Sequence, residues 1–570
     1  MQEGVFNKFS SYALDYSFFK EFAGTSVYRD FYFRISEGAC DIYVGRDFKL
    51  LHHCVTHQAS DRDNIISSTL RDFFSILLNF RKVHEVDVVG SKAFLNEISK
   101  LENTCLITTR NSILFKRMLD QKIVFDKPIC LIFEDDIKFF DNSTECYASV
   151  SETEISPLAS RTEYLDSHVF CNVGDVVQTA SQKSIVLSSR ISNGAEGMIF
   201  KTNDPRIVAK IYHRGVITPL RWSKLTKMVS RGISAVEICW PIDLLFFQGA
   251  PVGYTMRLGK GSTLSNILDG PDAVTNAFPE WKRVDVVDTL LNLLEKFLYL
   301  HMNDIIIGDI QLKNALLYSS ASCYLIDMDS CQIGNLPCPV GTEEFTPPEL
   351  WGHNFVDFLR TLRHEDYCIA MLVFSVLFCG LHPYASRNGK ETLREEILDR
   401  NFPYKLDNSG SENIPVGGYE YIWKYLPEKL RKMLYDVFAL GINHETIEWY
   451  AVVQDYKDQL ISDKFDDPEA YKVFPRMNYH KTPDASPVYV KGSNSFKDRI
   501  IRSDGNNPFA AAANSSFTNN DDNLVARNTS FYASKNRQEK TNNTIDDNNN
   551  NNGDNGDGRS GLFSFFGKRK

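Results

Sequence analysis

The sequence predicts a doubly wound α/β domain over residues 1–145, a linker over 146–184, an α+β domain over 185–465 and a disordered low-complexity tail over 466–570. Three observations carry this division. Strand-like and helix-like runs alternate through the first 145 residues, the pattern of a parallel sheet with helical crossovers. From Ile191 the order changes to a glycine-containing turn, several short strands and then long apolar helical stretches. Beyond about Pro475 the composition turns to Asn, Ser and Asp, with an unbroken Asn548–Asn552 run. Such a chain cannot bury enough apolar surface to offset its ordering entropy.

Composition bounds the function. A chain of 570 residues exceeds what one hydrophobic core organises. The formal charge of −10 leaves no basic stripe of the kind that marks nucleic-acid binders, so no nucleic-acid partner is expected. Residues 1–13 lack an apolar core behind a basic start, which argues against a signal peptide. The most apolar stretch, Ile369–Gly380, is too short to span a bilayer and reads as a buried helix. Twelve cysteines without a Cys-x-x-Cys pair read as free thiols in a reducing, cytoplasmic setting.

In the first domain, strands are expected at Phe31–Ile35, Asp41–Val44, Val86–Val89, Cys105–Thr108 and Ile129–Phe133, with helices at Arg62–Phe80, Lys92–Leu101 and Ser112–Leu119. Asp41, Asp87, Glu134 and Asp135 fall near strand ends, where ligands of such sheets bind. Their spacing matches no metal site, and they read as solvated carboxylates rather than a nuclease-like centre. The run His52-His53-Cys54-Val55-Thr56-His57 is expected on a strand. There His53 and His57 share one face while His52 and Cys54 share the other, so four ligands do not converge on a metal. The linker is rich in Ser, Thr, Asp and Glu.

The second domain opens on Ile191–Lys201, with Gly194 and Gly197 in the turn. Glycine lets backbone N–H groups approach phosphate oxygens without a Cβ in the way. Lys210 follows Val208 and Ala209 and precedes Ile211, so it is expected half-buried and fixed on a strand. The next helix, Pro219–Ser230, carries no carboxylate; Glu237 is the first acid after Ile211. Phe246–Leu258 reads as two strands turning at Gly249-Ala250, and Val284–Met302 as an apolar helix. Three polar groups then stand at the mouths of apolar runs. Asp309 follows Ile305-Ile306-Ile307, Asn314 precedes Ala315-Leu316-Leu317, and Asp327 follows Tyr324-Leu325-Ile326. An Asp, an Asn and a second Asp held this way suit phosphoryl transfer.

The ordered set resembles the protein kinase fold, in a divergent bacterial group found with helix-hairpin-helix fusions and with stress and tellurite-resistance gene sets. The resemblance covers about residues 185–400 and includes Pro347-Pro348-Glu349 and the Gly380–Tyr384 helix ending. It implies a bilobal domain that uses ATP and Mg2+ to phosphorylate protein Ser/Thr in intracellular signalling or stress response. Gly194, Gly197 and Lys210 would hold the phosphates, and backbone groups near Met256 and Leu258 the adenine. Asp309 would be the catalytic carboxylate beside Lys210, Asn314 and Asp327 would hold the metal, and Asp366 would brace the catalytic-loop backbone. The departures are specific. Ile307-Gly308-Asp309 replaces His-Arg-Asp, so a phosphorylated activation segment lacks its arginine and switching of that kind is not expected. Gln311 replaces a lysine, and Asp329 stands where Asp-Phe-Gly has its glycine. No helix glutamate pairs Lys210, which leaves Glu237 or another group to do so. Three readings stay open: an active Ser/Thr kinase, a pseudokinase that binds nucleotide or acts as a scaffold, and an N-terminal α/β domain that is the catalytic unit with the kinase-like part regulating it. The protein substrate is not legible. The aromatic and basic end, Gly561–Lys570, suits docking to a partner or, weakly, to a membrane surface.

Overall fold

In the computed structural model, strands β1 (Ser11–Leu14), β2 (Asp41–Gly45), β3 (Val83–Val86), β4 (Thr104–Thr109), β5 (Ile129–Ile132) and β6 (Ile137–Phe140) form one sheet ordered β3-β2-β1-β4-β5-β6. Every pair is parallel except β5 with β6. β4 and β5 are buried at every position, as expected of strands covered on both faces. Helices α1 (Tyr16–Phe22) and α2 (Asp47–Gln58) cover one face, where Phe18, Phe19 and Phe48 pack on Tyr12, Cys105 and Cys130. Helices α3 (Ser91–Ile98), α4 (Ile113–Asp120) and α5 (Ser143–Ser149) cover the other, where Phe94, Phe115 and Cys146 pack on Ala13, Leu106 and Leu131.

The structure describes residues 6, 8–22, 25, 29, 31, 40–58, 82–133, 136–150, 153–165, 169–233, 235–462 and 470–477. They lie in a compact unit, Met1–Ser530; a second unit, Phe531–Lys570, is outside them. Also outside are the strand expected at Phe31–Ile35 apart from Phe31, the helix at Arg62–Phe80, Glu134, Asp135, and the tail apart from residues 470–477.

Three expectations are corrected. Asp41 opens β2 rather than closing it, and its carboxylate pairs with His84 at 2.8 Å. β3 occupies Val83–Val86, three residues before the expected Val86–Val89. The His52–His57 run lies on α2, not on a strand. Phe48, Leu51 and Val55 recur there at helical spacing and pack into the core. Tertiary burial overrides the weak helix propensity of the histidines and Thr56.

The next strands, β7 (Val176–Thr179), β8 (Ser184–Val186), β9 (Ser189–Asn193), β10 (Gly197–Lys201), β11 (Ile207–Tyr212), β12 (Asp243–Phe247) and β13 (Ala250–Arg257), form an antiparallel sheet ordered β8-β7-β12-β13-β11-β10-β9. Helix α6 (Pro219–Arg231) lies between β11 and β12 in the chain. Thr218 caps it by accepting the Arg221 N–H, Pro219 opens it, and Gly232 in the left-handed region closes it. A helical part follows, built on α7 (Arg283–Met302), α8 (Leu362–Leu377) and α9 (Thr446–Ile461). α7 is buried almost throughout and packs against α2, α8 and α9. Among the described residues no helix is long and apolar enough to cross a membrane.

Candidate active site

β11 delivers Lys210 opposite Tyr254 of β13, with the side chain buried. Its Nζ donates to Asp327 Oδ1 at 2.7 Å and to both Asp329 oxygens at 2.8 and 3.0 Å. Asp329 is only 3% exposed, and it also accepts the hydroxyls of Tyr212 (2.6 Å) and Tyr254 (2.7 Å). Burial disfavours every charge here. For Lys210 the two carboxylates outweigh that cost and hold its pKa well above the usual lysine value. For Asp329, Lys210 and Arg221 outweigh burial and hold the carboxyl below its usual range. For Asp327 burial prevails and raises the value, with Asp329 adding to it.

Lys210 is therefore paired with Asp327 and with Asp329, the residue in the glycine's place. Glu237 does not reach it. Its carboxylate pairs with the buried Lys296 of α7 at 2.8 Å and accepts the Ser322 hydroxyl. Helix α6 carries cations instead of an acid. Arg221 makes a two-pronged ion pair with Glu196 of the glycine turn at 2.7 and 2.8 Å, and lies 3.7 Å from Asp329. Buried Lys224 donates to the carbonyls of Ser330 (3.2 Å) and Pro337 (2.5 Å).

Asp309 is 7% exposed and fully engaged. Oδ2 accepts from Gln311 Nε2 at 2.8 Å and Asn314 Nδ2 at 2.9 Å; Oδ1 accepts the Thr342 hydroxyl at 3.0 Å. Thr342 carried no signal in the sequence, being one threonine in a loop 33 residues away. The loop backbone is braced by Glu365, which accepts the Gly308 N–H at 2.6 Å and pairs with His301 at 2.6 Å. This corrects the assignment of that brace to Asp366. The Asp366 carboxylate faces Arg117 of α4, in a buried pair with bonds of 2.7 and 2.9 Å. Glu445 shares Arg117 at 3.1 Å and accepts the Ser91 N–H and hydroxyl, both at 2.8 Å. A buried ionic cluster thus joins the parallel sheet's helices to the helical part.

Gly308, in the arginine's place, has φ +77°, and a Cβ there would lie 2.6 Å from Cys338 Sγ and 2.8 Å from Arg360 Nη1. Only glycine combines that backbone with that closeness. Arg360 fills the space, donating to the Gly308 carbonyl and to the Val340 carbonyl at 2.6 Å. A guanidinium does stand beside the loop, supplied from elsewhere in the chain and spent on backbone carbonyls.

A cleft of about 660 Å³, open solvent included, is bordered by Gly194, Gly197, Lys210, Met256, Leu258 and Asp327, with Leu316 and Ile326 on its apolar side. Asp309 and Asn314 lie beyond this lining, tied to it because Ile326 N–H donates to the Asn314 carbonyl at 3.0 Å. The Leu258 N–H is committed to the Arg206 carbonyl at 2.9 Å. Gly197 has a packing reason of its own: a Cβ there would sit 2.5 Å from the Ile211 carbonyl oxygen.

No family model matches the chain. A stretch of 247 residues, 40% of the chain, is 29% identical to protein kinase YegI of Escherichia coli O157:H7, and 249 residues are 28% identical to protein kinase YegI of strain K12. The chain is similar to protein kinases. The match spans 38% of the length of each of these relatives. Among solved structures, the ROP18 kinase domain in complex with AMP-PNP and sucrose has a TM-score of 0.35 and 12% identity, over 52% of this chain and 88% of that one.

Proposed function

We propose that residues 185–465 are a two-lobed, kinase-like domain that transfers a phosphoryl group from ATP, with Mg2+, to a protein Ser/Thr hydroxyl. The observation that carries this reading is one connected constellation. Lys210 meets Asp327 at the edge of the cleft, and Asn314 joins that edge to the Asp309 carboxylate. Lys210 would donate to phosphate oxygens, beside the turn of Gly194 and Gly197. Asp309, held in orientation by Gln311, Asn314 and Thr342, would accept the proton of the attacking hydroxyl. Asn314 and Asp327 offer hard oxygen donors, which fit magnesium. Magnesium bound there neutralises charge that builds up on the phosphates. Met256 and Leu258 would flank the adenine.

The rival reading is a pseudokinase that binds nucleotide or acts as a scaffold. It is favoured by the depth at which Lys210 is locked to two carboxylates. The test is incubation of the purified chain with labelled ATP and magnesium or manganese, beside Asp309→Ala. Transfer to the chain or to a generic acceptor by the parent alone, with nucleotide binding kept in both, is the expected result. Absence of transfer by both, with nucleotide still raising the unfolding temperature, would overturn the kinase in favour of the pseudokinase.

A further inference from the structure

Placing the His52–His57 run on a helix changes what it can do. Residues four apart on a helix share a face, so His53 and His57 stand one above the other, their rings stacked with centroids 5.5 Å apart. Glu295, from the middle of α7, meets both. Its Oε1 lies 3.4 Å from His53 Nε2 and its Oε2 lies 2.7 Å from His57 Nδ1. One ligand atom from each of the three residues falls within 4.8 Å of the other two. The Glu295 side chain is 8% exposed and the histidines 58% and 57%, so the carboxylate forms a floor and the imidazoles an open mouth. The floor is oriented from behind. Tyr450 donates its hydroxyl to Oε1 at 3.0 Å, and Gln58 donates to Oε2 at 3.4 Å.

We propose that His53, His57 and Glu295 bind a divalent transition cation, zinc or one of similar softness, which ties α2 to α7. Two imidazoles and one carboxylate are a zinc donor set that leaves a fourth position for water. Imidazole nitrogen disfavours magnesium and calcium, which take oxygen ligands. Two ligand atoms on a tetrahedral zinc stand roughly 3.3 Å apart; the three donor atoms here lie within 4.8 Å of one another, a gap that rotation of the two exposed rings can close. Tyr450 and Gln58 supply the outer hydrogen bonds that fix a ligating carboxylate. A single imidazolium suffices to neutralise one buried carboxylate. A second imidazole on the same helical face is redundant for an ion pair and is what a three-ligand site requires. The α7 helix ends at Met302, seven residues before Asp309. A cation here would therefore clamp the parallel-sheet region to the helix that feeds the Asp309 loop. The assignment does not depend on phosphoryl transfer.

The experiment uses the full chain stripped with chelator and titrated with Zn2+ by calorimetry and with Co2+ by absorption spectroscopy. Thermal unfolding is followed with and without each ion. The parent should take up one equivalent, unfold at a higher temperature when loaded, and give a cobalt spectrum without thiolate charge-transfer bands. The spectrum matters because the chain holds twelve free cysteines, the competing zinc ligands. His53→Ala and His57→Ala should each weaken binding at least tenfold, and the double variant should lose the equivalent, unfold below the metal-free parent because Glu295 is left buried without an imidazole partner, and gain nothing in unfolding temperature when the ion is added. If the double variant does not fold, His53→Gln decides by the same tenfold loss and the cobalt spectrum. No bound equivalent in the parent, undiminished binding in these variants, or a thiolate band would each overturn the site and leave the cluster an ion pair only.

Discussion

Replacing Asp329 by Asn tests the central electrostatic claim. The change keeps side-chain volume and removes one charge from a group that is 3% exposed. Asp329 accepts two bonds from Lys210, one from Tyr212 and one from Tyr254. In the variant the amide nitrogen must face one of these donors, so at least one bond becomes a donor–donor clash. Breaking a buried ion pair by removing one partner costs about 3–5 kcal/mol. Lys210 keeps Asp327, which is more exposed at 26% of its side chain, so the lower end, about 3 kcal/mol, is expected. At roughly 2–4 °C per kcal/mol, the unfolding temperature of the region should fall by about 6–12 °C. Thermal unfolding followed by circular dichroism at pH 7 reads this directly. Tyr212→Phe serves as a control that removes one hydroxyl, for about 1 kcal/mol. Phosphoryl transfer should drop at least tenfold, about 1.4 kcal/mol of barrier. An unfolding temperature within about 1 °C of the parent's would refute Asp329 as the partner that holds Lys210.

Glu237→Gln should leave the transfer rate within about twofold of the parent, since Glu237 serves Lys296 and not Lys210; a tenfold loss would restore it to the site. Arg117→Ala leaves Asp366 and Glu445 buried without their shared cation and should cost about 3–5 kcal/mol, with faster amide exchange in α4 and α8; unchanged exchange would mean the cluster does not join them. Alkaline pH should destabilise the fold, because burial pushes Cys105, Cys146, Cys171, Cys239 and Cys323 up to about 12. In that window the unfolded chain gives up thiol protons first, so stability falls as pH rises above the unfolded thiol value, by up to about 1.4 kcal/mol per thiol per pH unit. Lys20 and Lys224, lowered by burial to about 8, act the other way. The five thiols outnumber them, and a flat unfolding temperature from pH 8.5 to 10.5 would contradict the sign.

What the sequence made legible was local. The β4 and β5 strands, α6 and α7 were readable because each carries its own periodicity and its own boundary residues. Asp309, Asn314 and Asp327 stood out because each sits against an apolar run, and the structure brings Asn314 onto the Asp309 carboxylate and Asp327 onto Lys210. The misses are long-range. Lys210 and Asp329 are 119 positions apart, and no local pattern marks the second as the partner of the first. Glu365 and Asp366 are successive acids on one helix and point about 100° apart. Which one faces the loop depends on Arg117, 249 positions away. The His52–His57 run failed for a related reason. A short polar segment with one Val and one Thr has no decisive period of its own, and packing against α7 and the sheet decides it.

The charges on α6 show why moving the lysine's partner matters. With an acid on the helix, the position of that helix would decide whether Lys210 is paired. Here Lys210 takes its counter-ion from the segment that also bears Asp327, and α6 grips the same segment through Lys224 on the Ser330 and Pro337 carbonyls. Helix and lysine are thus coupled through residues 327–337 and not to each other. Lys224→Met separates the two. It keeps side-chain bulk while leaving two carbonyls without their cation, at about 1–3 kcal/mol for an unsatisfied buried group, offset in part because a buried charge is removed. Limited proteolysis should then cut within residues 330–337 faster than in the parent, while Asp329→Asn still costs what it costs in the parent background. If the Asp329→Asn penalty instead disappears in the Lys224→Met background, the grip of α6 and the Lys210 pair are one interaction, and the helix controls the lysine after all.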